Sequence, residues 1–261
     1  MNGPTQQTVG FQVSGKVDGP WITMSHPIGT DRTVWGPQIA TLERDFRVLA
    51  YDTRGHGQGP APTDGDFDDL ARDVLSLWDQ LGIRQSHFAG LSLGGCIGVA
   101  LAAIAPTRVT SLTVACSRIM VDQAASQMWE QRAALVQTQG MAPIIDATLE
   151  RWFTPQAIAA ARPEIAPTRR MLEHTSPQGY AAASRALAKG QSIERLQALS
   201  VPVQYILGIA DKGVPADEIR RYHAATPGAT LVEIDGPHLL HVEQPAAFWD
   251  AVCGFARQHP R

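Results

Sequence analysis

Short apolar segments bounded by turn residues recur along the chain, and amphipathic segments occupy most of the intervals between them. Short runs that are rich in β-branched and aromatic residues are typical of buried strands. Such strands are predicted at residues 21–25, 46–52, 86–91, 109–116, 201–207 and 230–235.

Helices are predicted in the intervals where apolar residues repeat every three or four positions. Leu70, Val74 and Leu77 follow this spacing and form one apolar face. The predicted helices cover residues 68–81, 94–105, 216–225 and 245–258. Because strands that alternate with helices usually form parallel sheets, we predict an α/β fold with a mostly parallel sheet and helices on both faces.

The alternation of strands and helices is interrupted between about residues 118 and 199. This region is rich in Ala, Gln, Arg and Met, and its pattern predicts several helices inserted between two consecutive strands. An insertion at the carboxyl edge of a parallel sheet covers the crevice in which such folds bind ligands. We therefore predict a core of residues 1–117 and 200–261 and a helical cap of residues 118–199.

Composition and charge exclude several classes of function. The formal net charge of −3 comes with no basic stripe, so a nucleic-acid partner is not expected. The N-terminal segment MNGPTQQTVG is polar and unlike a signal peptide, and no apolar run reaches membrane-spanning length. We therefore expect a cytoplasmic protein without a membrane partner.

The cysteines are odd in number and widely spaced, and they show neither a metal-binding nor a disulfide pattern. They are Cys96, Cys116 and Cys253. We expect reduced, mostly buried thiols and no bound metal.

The segment FAGLSLGGCIG, residues 88–98, places Ser92 between two glycines, Gly90 and Gly94. It follows a predicted strand and precedes a helix of small residues, which is the setting in which a G-x-S-x-G pattern forms a nucleophile elbow. The serine of such a turn has strained backbone angles, and a side chain at either flanking position would collide with neighbouring elements. We therefore predict that Ser92 is a nucleophile and that the Leu93 N–H, at a helix N-terminus, stabilises an oxyanion.

A serine hydroxyl requires a general base, and the base requires an orienting acid. His238, in IDGPHLLHVEQP, follows the last predicted strand at the sheet edge where the elbow emerges, and it is the predicted base. His56, in TRGHGQG, is the second choice, whereas His241 is expected to pack or to face solvent.

Asp211 is the predicted acid, because it follows the strand at 201–207 and completes the chain order Ser, Asp, His that the elbow arrangement requires. Asp122 and Asp235 are the alternatives, and each is more typical of a turn cap or a solvent-facing residue. Lys212 is expected to point away from the Asp211 carboxylate.

A second oxyanion donor is expected from the loop HPIGTDRTVW, which follows the first predicted strand. The Ile28 N–H is the candidate, because Pro27 has no amide hydrogen. His26 is expected either to be structural or to contact the substrate.

These motifs together resemble the α/β-hydrolases, and the resemblance extends over essentially the whole chain. Within that superfamily the chain resembles the 3-oxoadipate enol-lactonases and their close relatives, through GTDRTVW, FRVLAYDTRGHG, GLSLGG, RWFTP and HLLHVEQPAAF. The resemblance implies that Ser92, His238 and Asp211 are nucleophile, base and acid. It also implies hydrolysis of a small-molecule ester or lactone, such as 3-oxoadipate enol-lactone, through an acyl-serine and without a cofactor.

A lactone that bears a carboxylate would also require a cation in the pocket. Arg151, Arg118 and Arg132 are the candidates for this cation. Trp152, beside Arg151 in the RWFTP motif, is expected to contact the substrate as well.

Two departures from the family pattern lie close to the predicted site and keep other substrates open. Relatives commonly carry Asn-Ser or His-Gly where this chain has His26-Pro27, and the DKG loop at residues 211–213 is unusual. The alternatives are a carboxylesterase, an amidase or a carbon–carbon bond hydrolase of the same fold, or a non-catalytic receptor that uses the pocket. Epoxide hydrolases and haloalkane dehalogenases are disfavoured, because they have an aspartate where Ser92 stands.

Overall fold

The computed structural model describes residues 10–260, apart from the side chains of Pro37 and Gln38, and within them seven strands form one sheet. The strands are β1 (Phe11–Gly15), β2 (Trp21–Ser25), β3 (Arg47–Tyr51), β4 (Ser86–Leu91), β5 (Val109–Ala115), β6 (Val203–Gly208) and β7 (Thr230–Ile234). They lie in the order β1-β3-β2-β4-β5-β6-β7. Of these pairs, β1 with β3 is antiparallel and the others are parallel. The predicted α/β fold with a mostly parallel sheet is therefore confirmed.

All six predicted strands are present, and β1 is the strand that the sequence analysis missed. Its sequence, FQVSG, pairs with β3 at the sheet edge, and its residues are half-buried or exposed. An edge strand buries little apolar surface, so it lacks the continuous apolar run that identifies a central parallel strand.

Twelve α-helices accompany the sheet within the described residues. They are α1 (Ala40–Glu43), α2 (Phe67–Gln80), α3 (Leu93–Ile104), α4 (Gln123–Gln139), α5 (Ala142–Trp152), α6 (Pro155–Ala159), α7 (Ile165–His174), α8 (Pro177–Lys189), α9 (Ile193–Gln197), α10 (Ala216–Ala225), α11 (Leu240–Glu243) and α12 (Pro245–Gln258). The four helices predicted from periodicity are α2, α3, α10 and α12, and each agrees within one residue at either end. No helix between residues 10 and 260 has the length and apolar character needed to cross a membrane.

The helix α3 begins at the predicted elbow and packs against β2, β4 and β5. All of its residues from Leu93 to Ala102 are buried. A helix that is apolar on every side is typical of a protein core. The first turn of α3, where an oxyanion donor is expected, is therefore held firmly in place by packing.

The helices α4 to α8 lie between β5 and β6, in the interval for which a cap is predicted. Helix α4 packs extensively along α8, and α5 contacts both α4 and α7. Helix α9 instead contacts α3 and α10. The division into a core of residues 1–117 and 200–261 and a cap of residues 118–199 stays a prediction.

The strands β4, β5, β6 and β7 are consecutive and parallel, so their carboxyl ends lie along one edge of the sheet. Ser92 directly follows β4, Asp211 follows β6 and His238 follows β7. The parallel topology therefore gathers residues that are distant in the sequence at the edge where open α/β sheets bind ligands.

Candidate active site

Ser92 occupies a strained turn between β4 and α3. Its backbone angles are φ 58° and ψ −115°, and a residue with a side chain rarely adopts such a positive φ. Its N–H donates to the Ala115 carbonyl at 2.8 Å, which ties the turn to β5. A Cβ atom at Gly90 would lie 2.2 Å from the Gly94 carbonyl carbon, and one at Gly94 would lie 2.0 Å from the Ser25 carbonyl oxygen. Neither contact is sterically possible, so glycine is required on both sides of Ser92.

His238 and Asp211 form a buried pair at the same sheet edge. His238 Nδ1 lies 2.8 Å from Asp211 Oδ2, and both side chains are almost completely buried. The other carboxylate oxygen, Oδ1, accepts hydrogen bonds from the N–H groups of Gly213 and Val214 at 2.6 and 3.0 Å. Because an ionised carboxylate can only accept, the proton of a neutral His238 ring lies on Nδ1, and Nε2 is the acceptor nitrogen.

Ser92 and His238 line one cavity between the sheet edge and the helices α4, α5 and α8. Its empty volume is about 540 Å³, including the part that is open to solvent. The Trp152 ring stacks on the His238 ring, with centroids 6.0 Å apart and planes inclined by 21°. The apolar part of the cavity wall comes from Ile28, Met128, Trp129, Leu187 and Val214.

The two predicted oxyanion donors belong to segments beside this cavity. Leu93 is the first residue of α3, and the N–H groups of a first helical turn have no partner within the helix. Ile28 lines the cavity itself. The close approach of Ser25 to Gly94 holds the end of β2 against the elbow, so the loop that contains Ile28 starts next to Ser92.

The sequence matches the family model for the alpha/beta hydrolase fold over residues 20–245. The chain belongs to the α/β-hydrolase family. It is 34% identical over 253 residues to 3-oxoadipate enol-lactonase 1 of Acinetobacter baylyi, and the match covers 96% of this chain and 94% of that protein.

Solved structures of similar enzymes extend this comparison. The enol-lactonase from Burkholderia xenovorans LB400 has a TM-score of 0.92 and 34% identity, over 95% of this hydrolase and 96% of that chain. A thermophilic esterase from Thermogutta terrifontis, solved with malate bound, has a TM-score of 0.89 and 28% identity, over 97% and 94% of the two chains. The fold of this hydrolase is thus shared with enzymes that are named for lactone and for ester hydrolysis.

His26 stabilises the hydrolase loop after β2, which favours the structural alternative, and a contact with substrate stays a prediction. Its Nδ1–H donates to the Pro27 carbonyl at 2.8 Å, and its Nε2 accepts from the Thr53 N–H at 3.0 Å. Both ring nitrogens are therefore bound to backbone, and the residue is not part of the cavity lining. Burial lowers the pKa of His26 to about 4, so the ring is neutral near pH 7.

Two of the three candidate cations of the hydrolase already have partners. Arg118 lines the cavity, but its guanidinium pairs through two nitrogens with the carboxylate of Glu218 on α10. Arg132 donates from Nε to the Tyr180 hydroxyl at 2.9 Å and also contacts Thr148 Oγ1. The charge of Arg118 is neutralised by its partner, whereas the partners of Arg132 are uncharged.

Arg151, near the end of α5, lines the cavity and has no hydrogen-bond or carboxylate partner within residues 10–260. Its Nε is buried without an acceptor. Burial, and after it the nearby charge of Arg132, lower the pKa of Arg151 below its ordinary value. An anion in the cavity would supply the acceptor that this guanidinium lacks.

The alternative bases lie away from the cavity lining. His56 is buried beside His26, with ring centroids 5.4 Å apart, and its Nδ1 lies 3.2 Å from the Arg54 carbonyl. Burial lowers its pKa to about 3. His241 is buried with its Nε2 3.1 Å from the Val34 carbonyl, and burial lowers its pKa to about 4. Both rings pack inside the protein, and neither pairs with a carboxylate in the part of the chain that the structure describes.

The two alternative acids, Asp122 and Asp235, have other positions in the structure. Asp122 caps α4, accepting a hydrogen bond from the Ala125 N–H at 2.7 Å. Asp235 is exposed to solvent. Lys212 is exposed too and forms no ion pair within residues 10–260, so it does not compete for the Asp211 carboxylate.

Cys116 is a residue near the site that sequence reasoning missed. It directly follows β5, is completely buried and has a φ of 46°. Its Sγ, a carboxylate oxygen of Asp211 and a ring nitrogen of His238 all lie within 4.8 Å of one another. Burial, and after it the charge of Asp211, raise the pKa of the thiol well above its ordinary value. The thiol is therefore protonated, which makes it a donor to Asp211 and a poor metal ligand. Only the adjacency of β5 and β6 could have indicated it.

Proposed function

We propose that this hydrolase opens an enol-lactone, or a closely related ester, with Ser92 as nucleophile, His238 as base and Asp211 as orienting acid. The observation that carries this proposal is one cavity lined by a serine on a strained elbow and by a histidine that is hydrogen-bonded to a buried carboxylate. The substrate class is supported by the relatives named as enol-lactonases at 34% identity over nearly the whole chain.

In the first half of the reaction, Ser92 Oγ attacks the carbonyl carbon and His238 Nε2 takes the hydroxyl proton. Asp211 stays ionised and stabilises the imidazolium through Nδ1–H. Collapse of the tetrahedral intermediate breaks the bond to the ring oxygen, and His238 returns the proton to this leaving group. An enolate is stabilised by conjugation, so this step demands little acid strength from His238.

In the second half, His238 removes a proton from water, and the resulting hydroxide attacks the acyl-serine carbonyl. The second tetrahedral intermediate releases the acid and returns the proton to Ser92 Oγ. In both halves the Leu93 and Ile28 N–H groups donate to the oxyanion. The loss of one such donor typically costs about 3 kcal/mol of barrier stabilisation.

Arg151 binds the carboxylate of the substrate in this proposal. A 3-oxoadipate skeleton has two carboxyl groups, and lactone formation consumes one of them, which leaves one free carboxylate. Among the cations in or near the cavity, Arg118 is neutralised by Glu218, whereas Arg151 lines the cavity without a partner. Substitution of Arg151 by methionine is expected to raise KM for an anionic lactone more than for a neutral ester.

A general carboxylesterase is the second candidate, favoured by the likeness to the esterase from Thermogutta terrifontis. One preparation is assayed on an enol-lactone, on simple aryl esters and on a vinylogous diketone, and the highest kcat/KM identifies the substrate class. Ser92→Ala is expected to abolish turnover of all active substrates and also labelling by a fluorophosphonate. Unlabelled wild-type protein without turnover would point to a receptor instead. The expected location in the cytoplasm stays a prediction.

A further inference from the structure

The hydroxyl of Tyr180 has a hydrogen-bond arrangement that leaves its proton available. Tyr180 lies on α8, and its buried side chain lines the cavity. Its oxygen accepts from Arg132 Nε at 2.9 Å. A guanidinium has donors and no acceptor, so the phenolic proton cannot be used in this contact. No acceptor within residues 10–260 takes that proton.

Two neighbours of the Tyr180 ring and the fixed start of α8 hold this side chain in position. Arg132 lies over it, with its guanidinium carbon 5.8 Å from the ring centroid, and the ring packs against Gly29 in the loop after β2. The start of α8 is fixed as well, because Gly179 and Gly55 approach so closely that a Cβ atom at Gly179 would lie 1.9 Å from the Gly55 carbonyl oxygen. The hydroxyl therefore has little freedom to find another partner by moving.

Two guanidinium groups near Tyr180 form no ion pair with any residue that the structure describes, although the charge of Asp211 acts on Arg151 from a distance. Neither Arg132 nor Arg151 forms an ion pair with a carboxylate within residues 10–260, and the two are near enough for the charge of Arg132 to lower the pKa of Arg151. A buried donor without an acceptor, such as Arg151 Nε, is unfavourable. The cavity lining thus holds the Arg151 guanidinium and the Tyr180 O–H donor, and neither has an acceptor within residues 10–260.

We propose that the Tyr180 hydroxyl and the Arg151 guanidinium together form a carboxylate subsite that selects anionic esters and lactones over neutral ones. Tyr180 donates its O–H to the substrate carboxylate, and Arg151 supplies the charge. Arg132 is a positioning residue, because its N–H donates to the Tyr180 oxygen and thereby leaves the hydroxyl proton for a partner in the cavity. The proposal rests on the proposed function for the identity of the reacting bond, and it adds how the substrate is chosen.

The test uses two esters that differ in one terminal group, mono-4-nitrophenyl glutarate and 4-nitrophenyl pentanoate. Tyr180→Phe keeps the ring and removes the hydroxyl. A hydrogen bond to a charged group contributes enough that kcat/KM for the glutarate ester should fall about tenfold or more, mainly through KM. For the pentanoate ester the change should stay within about twofold. Arg132→Met should also lower the ratio of kcat/KM for the glutarate ester to kcat/KM for the pentanoate ester.

Tyr205→Phe is the matched control. This tyrosine is buried in β6, and its hydroxyl is bound to Thr226 Oγ1 at 2.8 Å, away from the cavity lining. It should preserve the ratio of the two kcat/KM values. If Tyr180→Phe lowers kcat/KM for both esters by the same factor, or changes neither value, the subsite is refuted. The proposed roles of Ser92 and His238 are unaffected by that result.

A binding measurement in a protein without the nucleophile tests the subsite independently of the reaction. Calorimetric titration of glutarate into the Ser92→Ala protein is compared with titration into the Ser92→Ala/Tyr180→Phe protein. We expect about tenfold weaker binding in the double variant. Equal affinities would refute the subsite. A wild-type protein that turns over neither ester but binds glutarate through Tyr180 would refute the proposed reaction and leave the subsite in place.

Discussion

Replacement of Asp211 by asparagine changes the hydrogen bonds of the active site without changing its shape. Asp211 Oδ1 accepts from the Gly213 and Val214 N–H groups at 2.6 and 3.0 Å, so the carbonyl oxygen of an asparagine must take this place. Its NH₂ group then faces His238 Nδ1, where Oδ2 now lies at 2.8 Å. Because an amide NH₂ can only donate, Nδ1 becomes an acceptor and the ring proton moves to Nε2.

In that tautomer His238 cannot accept the Ser92 proton, and the imidazolium formed during attack has no carboxylate beside it. The same exchange in a Ser-His-Asp triad lowers kcat by about ten-thousand-fold. At 1.36 kcal/mol for each factor of ten, this is about 5.4 kcal/mol of barrier. Rotation of the amide does not rescue the tautomer, because its NH₂ would then face two N–H donors, and each buried donor left unpaired costs about 1–3 kcal/mol.

The assay measures kcat at saturating ester for the wild-type protein, Asp211→Asn and Asp211→Ala, together with thermal unfolding. Asp211→Asn should lose activity and keep a near-native Tm, because its hydrogen bonds to Gly213, Val214 and His238 each have a replacement. Asp211→Ala should lose both activity and stability, because these three donors and the Cys116 thiol lose their acceptor. A folded Asp211→Asn protein that keeps more than about a tenth of the wild-type kcat would refute this reasoning.

Two further predictions concern the elbow and the buried histidines. Gly94→Ala should cost about 1–3 kcal/mol or more of unfolding free energy and most of the activity, because its Cβ would lie 2.0 Å from the Ser25 carbonyl oxygen. Gly254→Ala, inside α12 where a Cβ meets nothing within 4 Å, is the control and should leave the unfolding free energy in urea unchanged or slightly raised, because alanine favours a helix over glycine. A loss of stability equal to that of Gly94→Ala would contradict the steric argument. Burial lowers the pKa values of three histidines, so the unfolded chain binds more protons and the free energy of unfolding should fall as pH drops from about 6.5 toward 4. The decrease is up to about 1.4 kcal/mol per pH unit for each histidine, and an unfolding free energy that is constant between pH 7 and 5 would count against it. These histidines are His26, His56 and His241.

Features that depend on residues close in the sequence could be predicted without a structure. The glycine before the elbow serine is such a feature, because a Cβ atom at Gly90 would collide with Gly94 and Gly95. The glycine after it is required by a distant residue, Ser25, although the G-x-S-x-G pattern already indicated both positions. The helices α10 and α12 were predicted to the residue, because an apolar repeat of three to four positions reflects the geometry of one helix. The strand β1 was missed because its pairing with β3, and not its own composition, makes it a strand.

Charge pairing in the cavity depended on residues that are far apart. Arg118, Arg132 and Arg151 were equivalent candidates in the sequence, and nothing near Arg118 indicates that Glu218, 100 positions later, neutralises it. The sequence left open whether His26 is structural or contacts the substrate. In the structure its ring joins the loop after β2 to Thr53, which is 27 residues away.

Patterns in the sequence were enough to predict the fold class and the family, which are confirmed, and the three residues proposed for the reaction. Each of these follows from a local pattern, in which backbone geometry restricts the residue types that can stand at a given spacing. The folded arrangement shows that, among the residues described, the Arg151 side chain has no hydrogen-bond partner and the Tyr180 proton has no acceptor. Both depend on which distant groups occupy a side chain's donors and acceptors, and spacing along a chain contains no information about that occupancy.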